Sequence, residues 1–226
     1  MSEKLAFALS AWILGIFTAR VFAANSMNLN RIRRNEGVTE FRAAVDGSPL
    51  MLYDFTDSAG VDNWNEISDT VRDVGMSKAS FVIQHTQRFR RAIFFSLLNP
   101  QVNGAGFAGV KTPVNLDLSG FTKIELRGRA QGNKGYKIVL RHKGQEYEPF
   151  PTYENFFEGP EEFSTISLSL DDFKPYYRGR QLNSTEAEPL DVANITSIGL
   201  QIYGGVYSPI KQKGPSAFEL DWIRAV

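Results

Sequence analysis

At 226 residues, with 42% hydrophobic and 12% aromatic side chains, the chain can build one sizeable core and is too apolar for a disordered segment. Its 25 Lys and Arg balance 25 Asp and Glu, so no global charge draws it to nucleic acid or an anionic membrane. The absence of cysteine excludes disulfide scaffolds, thiolate metal sites and cysteine nucleophiles; two histidines, His85 and His142, are too few for a His-rich metal centre. No metal or cofactor is expected.

Leu5 to Phe17 is an uncharged apolar run, preceded by Lys4 and closed by Arg20. Val21 and Ala23 occupy the −3 and −1 positions of a cleavage between Ala23 and Ala24, the three-part pattern of a secretory signal peptide. The run falls short of the roughly 20 apolar residues a spanning helix needs, so no stable membrane span is expected. A second reading stays open. From Thr18 to Arg34 there is no acidic residue, while Arg20, Arg31, Arg33 and Arg34 accompany Ser26, as in a mitochondrial presequence. The uniform apolarity of the leading run favours the secretory reading. Residues 1–23 are expected to be the targeting segment. Residues 24–49, polar and without period, are read as a linker or loose lead-in, and residues 50–226 as one domain.

From Leu50 onward the text alternates strands and turns. Ile124–Arg127, Tyr136–Arg141, Thr165–Leu170, Ile198–Tyr203 and Phe218–Trp222 each alternate apolar and polar residues, the period of a half-buried strand. Ser80 to Leu98, rich in aromatic and β-branched residues, holds two more. Asn103-Gly104, Gly132 to Gly135, Lys143-Gly144, Gly159-Pro160 and Gly214-Pro215 are the turn signals between them. Helical period is nearly absent; Asp171 to Lys174 is one short turn before Pro175. Evenly spaced strands with Gly and Pro turns predict an all-β jelly-roll β-sandwich.

Chemistry-bearing motifs are few. Gly104 to Gly109 matches G-x-G-x-x-G, but Pro113 follows and no helix can start there to meet a pyrophosphate, so it reads as a turn into a strand. Neither histidine sits in a nucleophile–base pattern, and both are expected on strand surfaces. Adjacent acids such as Asp171 and Asp172 read as solvated charge. No enzyme is expected.

Alternation supplies a sharper idea. If Ile124, Leu126, Tyr136, Ile138, Leu140, Ile198, Leu200 and Ile202 fill the core, one outer face carries Glu125, Arg127, Arg129, Lys137, Arg141, Gln201 and Tyr203. Forked guanidinium donors beside an aromatic ring suit a polar ligand, and the same pattern suits cross-strand ion pairs. Tyr147 to Phe157 reads as a long irregular segment that caps the core or serves recognition. Arg178 and Arg180 are further candidates for ligand contact. Asn183 and Asn194 head glycosylation sequons; Asn183 lies in a polar stretch, and Asn194 abuts a strand that would hinder access.

Taken in order, Leu52-Tyr53-Asp54-Phe55, Trp64, Ser68-Asp69, Gly106 to Thr112, Leu116 to Ser119, Asp172-Phe173, Arg178-Gly179-Arg180, Ile198-Gly199-Leu200 and Glu219 to Ile223 resemble the complex I intermediate-associated protein 30 family. The resemblance covers about Leu50 to Val226. It implies a galactose-binding-domain-like jelly roll similar to carbohydrate-binding modules. It also implies an assembly-factor role, chaperone-like binding of a protein client in mitochondrial respiratory complex I assembly, without catalysis. The family's Gly-rich phrase after Ser-Asp is replaced here by Thr70 to Ser77. The alternative is a secretory-pathway carbohydrate-binding module on the same fold, with Tyr203 against the sugar.

Overall fold

The computed structural model describes residues 48–102, 104, 106–205 and 208–226, and the backbone of two strands before them. The expected targeting segment 1–23, the Ala23–Ala24 cleavage point and most of the lead-in 24–49 lie outside the described residues.

Within the lead-in stand β1 (Arg33–Asn35) and β2 (Val38–Phe41). The domain then runs through β3 (Leu50–Asp54), β4 (Asn65–Glu66), β5 (Lys78–His85), β6 (Arg90–Leu98) and β7 (Phe107–Leu116). It continues through β8 (Lys123–Gln131), β9 (Gly135–His142), β10 (Thr152–Glu158), β11 (Ser164–Ser169) and β12 (Lys174–Tyr177). It closes with β13 (Arg180–Gln181), β14 (Ile195–Tyr203) and β15 (Gly214–Ala225). Every strand expected from alternation is present, and the turn expected near Asp171 is a 3-10 turn over Leu170–Asp172.

Two sheets face each other in a jelly-roll β-sandwich. The larger runs β1-β2-β7-β14-β9-β10-β12-β13, with β4 also on β7; the smaller runs β11-β8-β15-β6-β5, with β3 also on β15. Pairing is antiparallel except where β2 meets β7. Pro113 sits within β7 although it has no N–H for the ladder. The β14 register slips opposite it, between Ile195 and Ser197, which is where a central strand tolerates proline. At the β12–β13 turn Arg178 and Gly179 have φ of 50° and 80°, the left-handed pair a tight hairpin requires.

The core lies between the sheets. All eight residues assigned to it by alternation are buried there, joined by Phe55, Phe94, Tyr153, Leu168, Phe218 and Ile223. Burying each such side chain contributes about 1.5–3 kcal/mol. Gly106 opens onto β7, so the glycine motif is a turn into a strand.

Candidate functional site

The candidate residues do not share one face. Glu125, Arg127 and Arg129 lie on β8, in the smaller sheet; Lys137 and Arg141 lie on β9, and Gln201 and Tyr203 on β14, both in the larger. The two outer faces point to opposite sides of the sandwich. Alternation separates the inside of a strand from its outside and carries no information on which sheet the strand joins.

On the smaller sheet the arginines are engaged. Glu219, 6% exposed, accepts from Arg91 Nη1 and Arg129 Nε, each at 2.7 Å, and from Gln131 Nε2 at 2.8 Å. Asp221 lies 3.5 Å from both Arg91 and Arg127, and Arg224 grips Glu125 Oε2 at 2.7 Å. Burial pushes the Asp221 carboxyl above the ordinary carboxylate range, against the pull of Arg91 and Arg127. Hydrogen bonds from Arg224 lead the groups that hold Glu125 below that range. The Phe163 ring lies under Arg91 and Arg129, at 4.1 and 5.0 Å. This half of the face is a cross-strand ion network in which each arginine already faces a carboxylate.

Beside it the same face turns apolar. Val82 on β5 and Phe95 and Leu97 on β6 point outward at 37, 46 and 49% exposure, around buried Ile93. The sequence reading passed over these residues. The doublets Phe94-Phe95 and Leu97-Leu98 were the available signal, because a half-buried strand should be polar at alternate positions.

The larger sheet carries a shallow open depression lined by Lys111, Arg141, Thr152, Ser197, Gly199 and Gln201. Next to it Lys137 Nζ donates to Glu154 Oε2 at 2.6 Å, both side chains under a tenth exposed. Phe156 packs edge-on against Tyr203 and Tyr176, with centroids 4.9 and 5.3 Å apart. Tyr203 keeps 8% exposure, and burial raises its phenol pKa. Arg141 donates to the Gln145 carbonyl at 2.7 Å and so anchors the loop that follows β9. Lys111 lies 3.5 Å from Glu146, whose other oxygen accepts from Thr196 Oγ1. The polar groups of this face mostly hold its own loop.

That loop corrects another expectation. Tyr147 to Phe157 is irregular only in its first half; from Thr152 it is β10, and Tyr153 is fully buried. Tyr147 and Phe150 remain exposed, at 77 and 43%. Arg178 grips Glu148 with two hydrogen bonds and Arg180 grips Glu186 likewise, so neither guanidinium is free. Arg72 approaches Glu148 to 3.9 Å and draws a further loop to the same point.

This loop, Thr70 to Met76, exposes Val71, Val74 and Met76 at 69, 48 and 56%. It is pinned by fully buried Asp69, which accepts from the Ser77 N–H at 2.8 Å and the Ser77 hydroxyl at 2.7 Å. A Cβ on Gly75 would stand 2.0 Å from the Asp69 carbonyl oxygen, so the closure needs glycine. Five exposed apolar side chains thus stand on two loops that the Arg72–Glu148 contact links.

His85 is exposed as expected, whereas His142 is fully buried, contrary to the surface expectation. Its Nδ1 accepts from the Asp191 N–H at 2.7 Å, its Nε2 lies 3.5 Å from Glu188, and its ring packs 4.7 Å from Tyr153. Both sequon asparagines are exposed. Asn183 Oδ1 closes a local turn on Thr185 and Glu186, and Asn194 directly precedes β14, as expected, with its side-chain amide donating to Asp191 Oδ2 at 2.9 Å. Among the described residues no cluster of His, Asp and Glu could hold a metal ion, and no helix is long and apolar enough to cross a membrane.

Comparison with known proteins places these features. The family model for complex I intermediate-associated protein 30 matches residues 53–221. A Schizosaccharomyces pombe protein described as uncharacterized is 28% identical over 183 residues, covering 73% of this chain and 80% of its own. Among solved structures, the family 11 carbohydrate-binding module of a cellulosomal cellulase of Clostridium thermocellum superposes with a TM-score of 0.59 at 16% identity, covering 79% of this chain and 94% of the module. A family 11 module from the same organism, in complex with a β-1,3-1,4-mixed-linked tetrasaccharide, gives 0.56 at 19% identity, covering 78% and 94%. These structures share the fold.

Proposed function

Since the chain belongs to the complex I intermediate-associated protein 30 family, we propose that it is a non-enzymatic, chaperone-like module that binds a protein client during respiratory complex assembly. The observation that carries this reading is the apolar rim. Val71, Val74, Met76, Tyr147 and Phe150 stand exposed on two loops that the Arg72–Glu148 contact links and that Asp69 and Arg141 fix. Apolar side chains held exposed on anchored loops that an ion pair links suit a protein surface better than a small polar ligand.

The family role supports a mitochondrial site of action, and the N-terminal pattern supports the secretory alternative. Fractionation of cells expressing a C-terminally tagged chain, with an endoglycosidase mobility test, separates them. A mitochondrial fraction without a shift supports complex I assembly. A secreted fraction with a shift at Asn183 or Asn194 removes it. The client reading itself is tested by changing Tyr147 and Met76 together to Ser. The folded variant should lose its co-purifying complex I intermediate, and full retention overturns the rim as the interface.

The depression on the larger sheet supports a second reading, a glycan-binding module. Thr152 and Gln201 line the depression, and on the same face Phe156, at 37% exposure, stands opposite Lys137 and against Tyr203 and Tyr176. A broad sugar array tests it: retention lost in Phe156→Ala and Tyr203→Ala supports it, and no retention by the parent protein removes it.

A further inference from the structure

We propose that the outer edge of β5 is a strand-addition site for an extended, alternately apolar segment of a client polypeptide, entering antiparallel with acidic residues leading. This deepens the client-binding reading and rests on it.

Among the described residues β5 pairs on one side only, with β6. The ladder phase shows which backbone groups face outward. The Ala79 N–H turns off the sheet to Glu66 Oε1 at 2.9 Å, while the Thr86 N–H turns inward to the Phe89 carbonyl. Antiparallel strands alternate these directions, so Phe81, Ile83 and His85 present their N–H and C=O groups outward, as Ala79 does. An open edge is ordinarily blunted by lysine, proline or a bulge; here Lys78 stands at the start of the strand, and from Ala79 to His85 the edge has none of them.

The side chains beside that edge are those a strand partner would cover. Val82 points outward opposite Ile93, with exposed Phe95, opposite Ser80, on its diagonal and Leu97, opposite Lys78, beyond. A strand added to β5 sets its alternate residues against Val82 and extends the strip, with main-chain hydrogen bonds for affinity and side-chain contacts for selectivity.

The two ends of β5 differ, and the difference selects the occupant. At the start, Glu66 blocks the edge: Oε1 holds the Ala79 N–H and Oε2 holds Lys78 Nζ at 2.7 Å. At the far end, exposed Arg88 has no ion-pair partner among the described residues. A second copy paired about Val82 by two-fold symmetry would meet a Glu66 at both ends, which leaves only Ser80–Gln84 to pair. A client strand meets it at one end and continues past His85 toward Arg88, where an acidic residue is complementary. In the antiparallel sense that residue lies at the segment's N-terminal end.

The test uses the full chain and a capped peptide, Asp-Glu-Val-Thr-Val-Thr-Val, followed by backbone amide NMR. Expected are saturable shifts centred on Phe81, Ile83 and His85, at least tenfold weaker binding in Val82→Lys, and weaker binding in Arg88→Glu. Ser80→Lys, equally outward and exposed, serves if Val82→Lys does not fold. Absence of shifts at millimolar peptide, or shifts centred on the depression of the larger sheet, overturns the proposal. So does self-association abolished by Val82→Lys, which would make a second copy the occupant. If the peptide fails while the Tyr147 and Met76 substitutions still release the client, the edge proposal falls and the client reading stands.

Discussion

Lys137 and Glu154 stand on neighbouring strands of an outer sheet face, yet their charged ends meet at 2.6 Å with both side chains under a tenth exposed. Phe156 and Tyr203 lie over the ammonium, at 5.6 and 5.9 Å, and screen the pair from water. Removing one partner strands the other charge. Lys137→Met is expected to cost about 3 kcal/mol by urea denaturation, and the double change with Glu154→Leu to recover most of it.

The Asp69–Ser77 contact predicts a local effect. Asp69→Ala removes both acceptors from buried donors and should cost about 2 kcal/mol. It should also free the loop of Val71, Val74 and Met76, seen as faster amide exchange at 70–76 with β14 unchanged. Equal exchange in both regions would mean that the loop is held by something else.

Gly128 on β8 predicts a core effect. An added Cβ would lie 2.4 Å from the Glu219 carbonyl and 2.6 Å from the Phe218 ring, and the backbone of β15 cannot yield. Gly128→Ala is expected to destabilise by about 1–3 kcal/mol, measured as a lowered urea midpoint with unchanged slope.

His142 predicts a pH dependence. Burial lowers its imidazole below the ordinary 6.5, against Glu188 and Asp191, while nearby Lys143 lowers it further. The unfolded chain therefore binds the proton more readily. Stability is complete above about pH 6.5 and declines as pH falls through the window below it. His142→Gln should flatten the slope between about pH 6.5 and 5, above the range where carboxylates titrate. An unchanged slope would assign it to other groups.

Outward Phe95 predicts a separation of stability from binding. Phe95→Ser, at 46% exposure, should leave stability within about 0.5 kcal/mol while weakening capture of the client segment at β5. A large loss of stability would show that the strip serves the fold.

Many of the strands and much of the core of this protein were legible in its sequence, though β10 was read as irregular. Ile124, Leu126, Tyr136, Ile138, Leu140, Ile198, Leu200 and Ile202 lie in the core because alternation along a strand is a local property, written two residues at a time. Glycine with proline or asparagine marks turns for the same local reason. Membership of sheets is not local. Arg129 and Arg141 looked like neighbours on one face and stand on opposite sides of the sandwich, since strand order depends on pairings between distant segments. Arg91 and Glu219 are 128 residues apart, and no pattern near either one records that they neutralise each other. The burial of His142 under the chain around Asp191 and the meeting of Arg72 with Glu148 have the same origin. Periodicity determined which residues turn inward; the long-range closure of two sheets decided which charges are spent on the fold and which apolar side chains stay exposed.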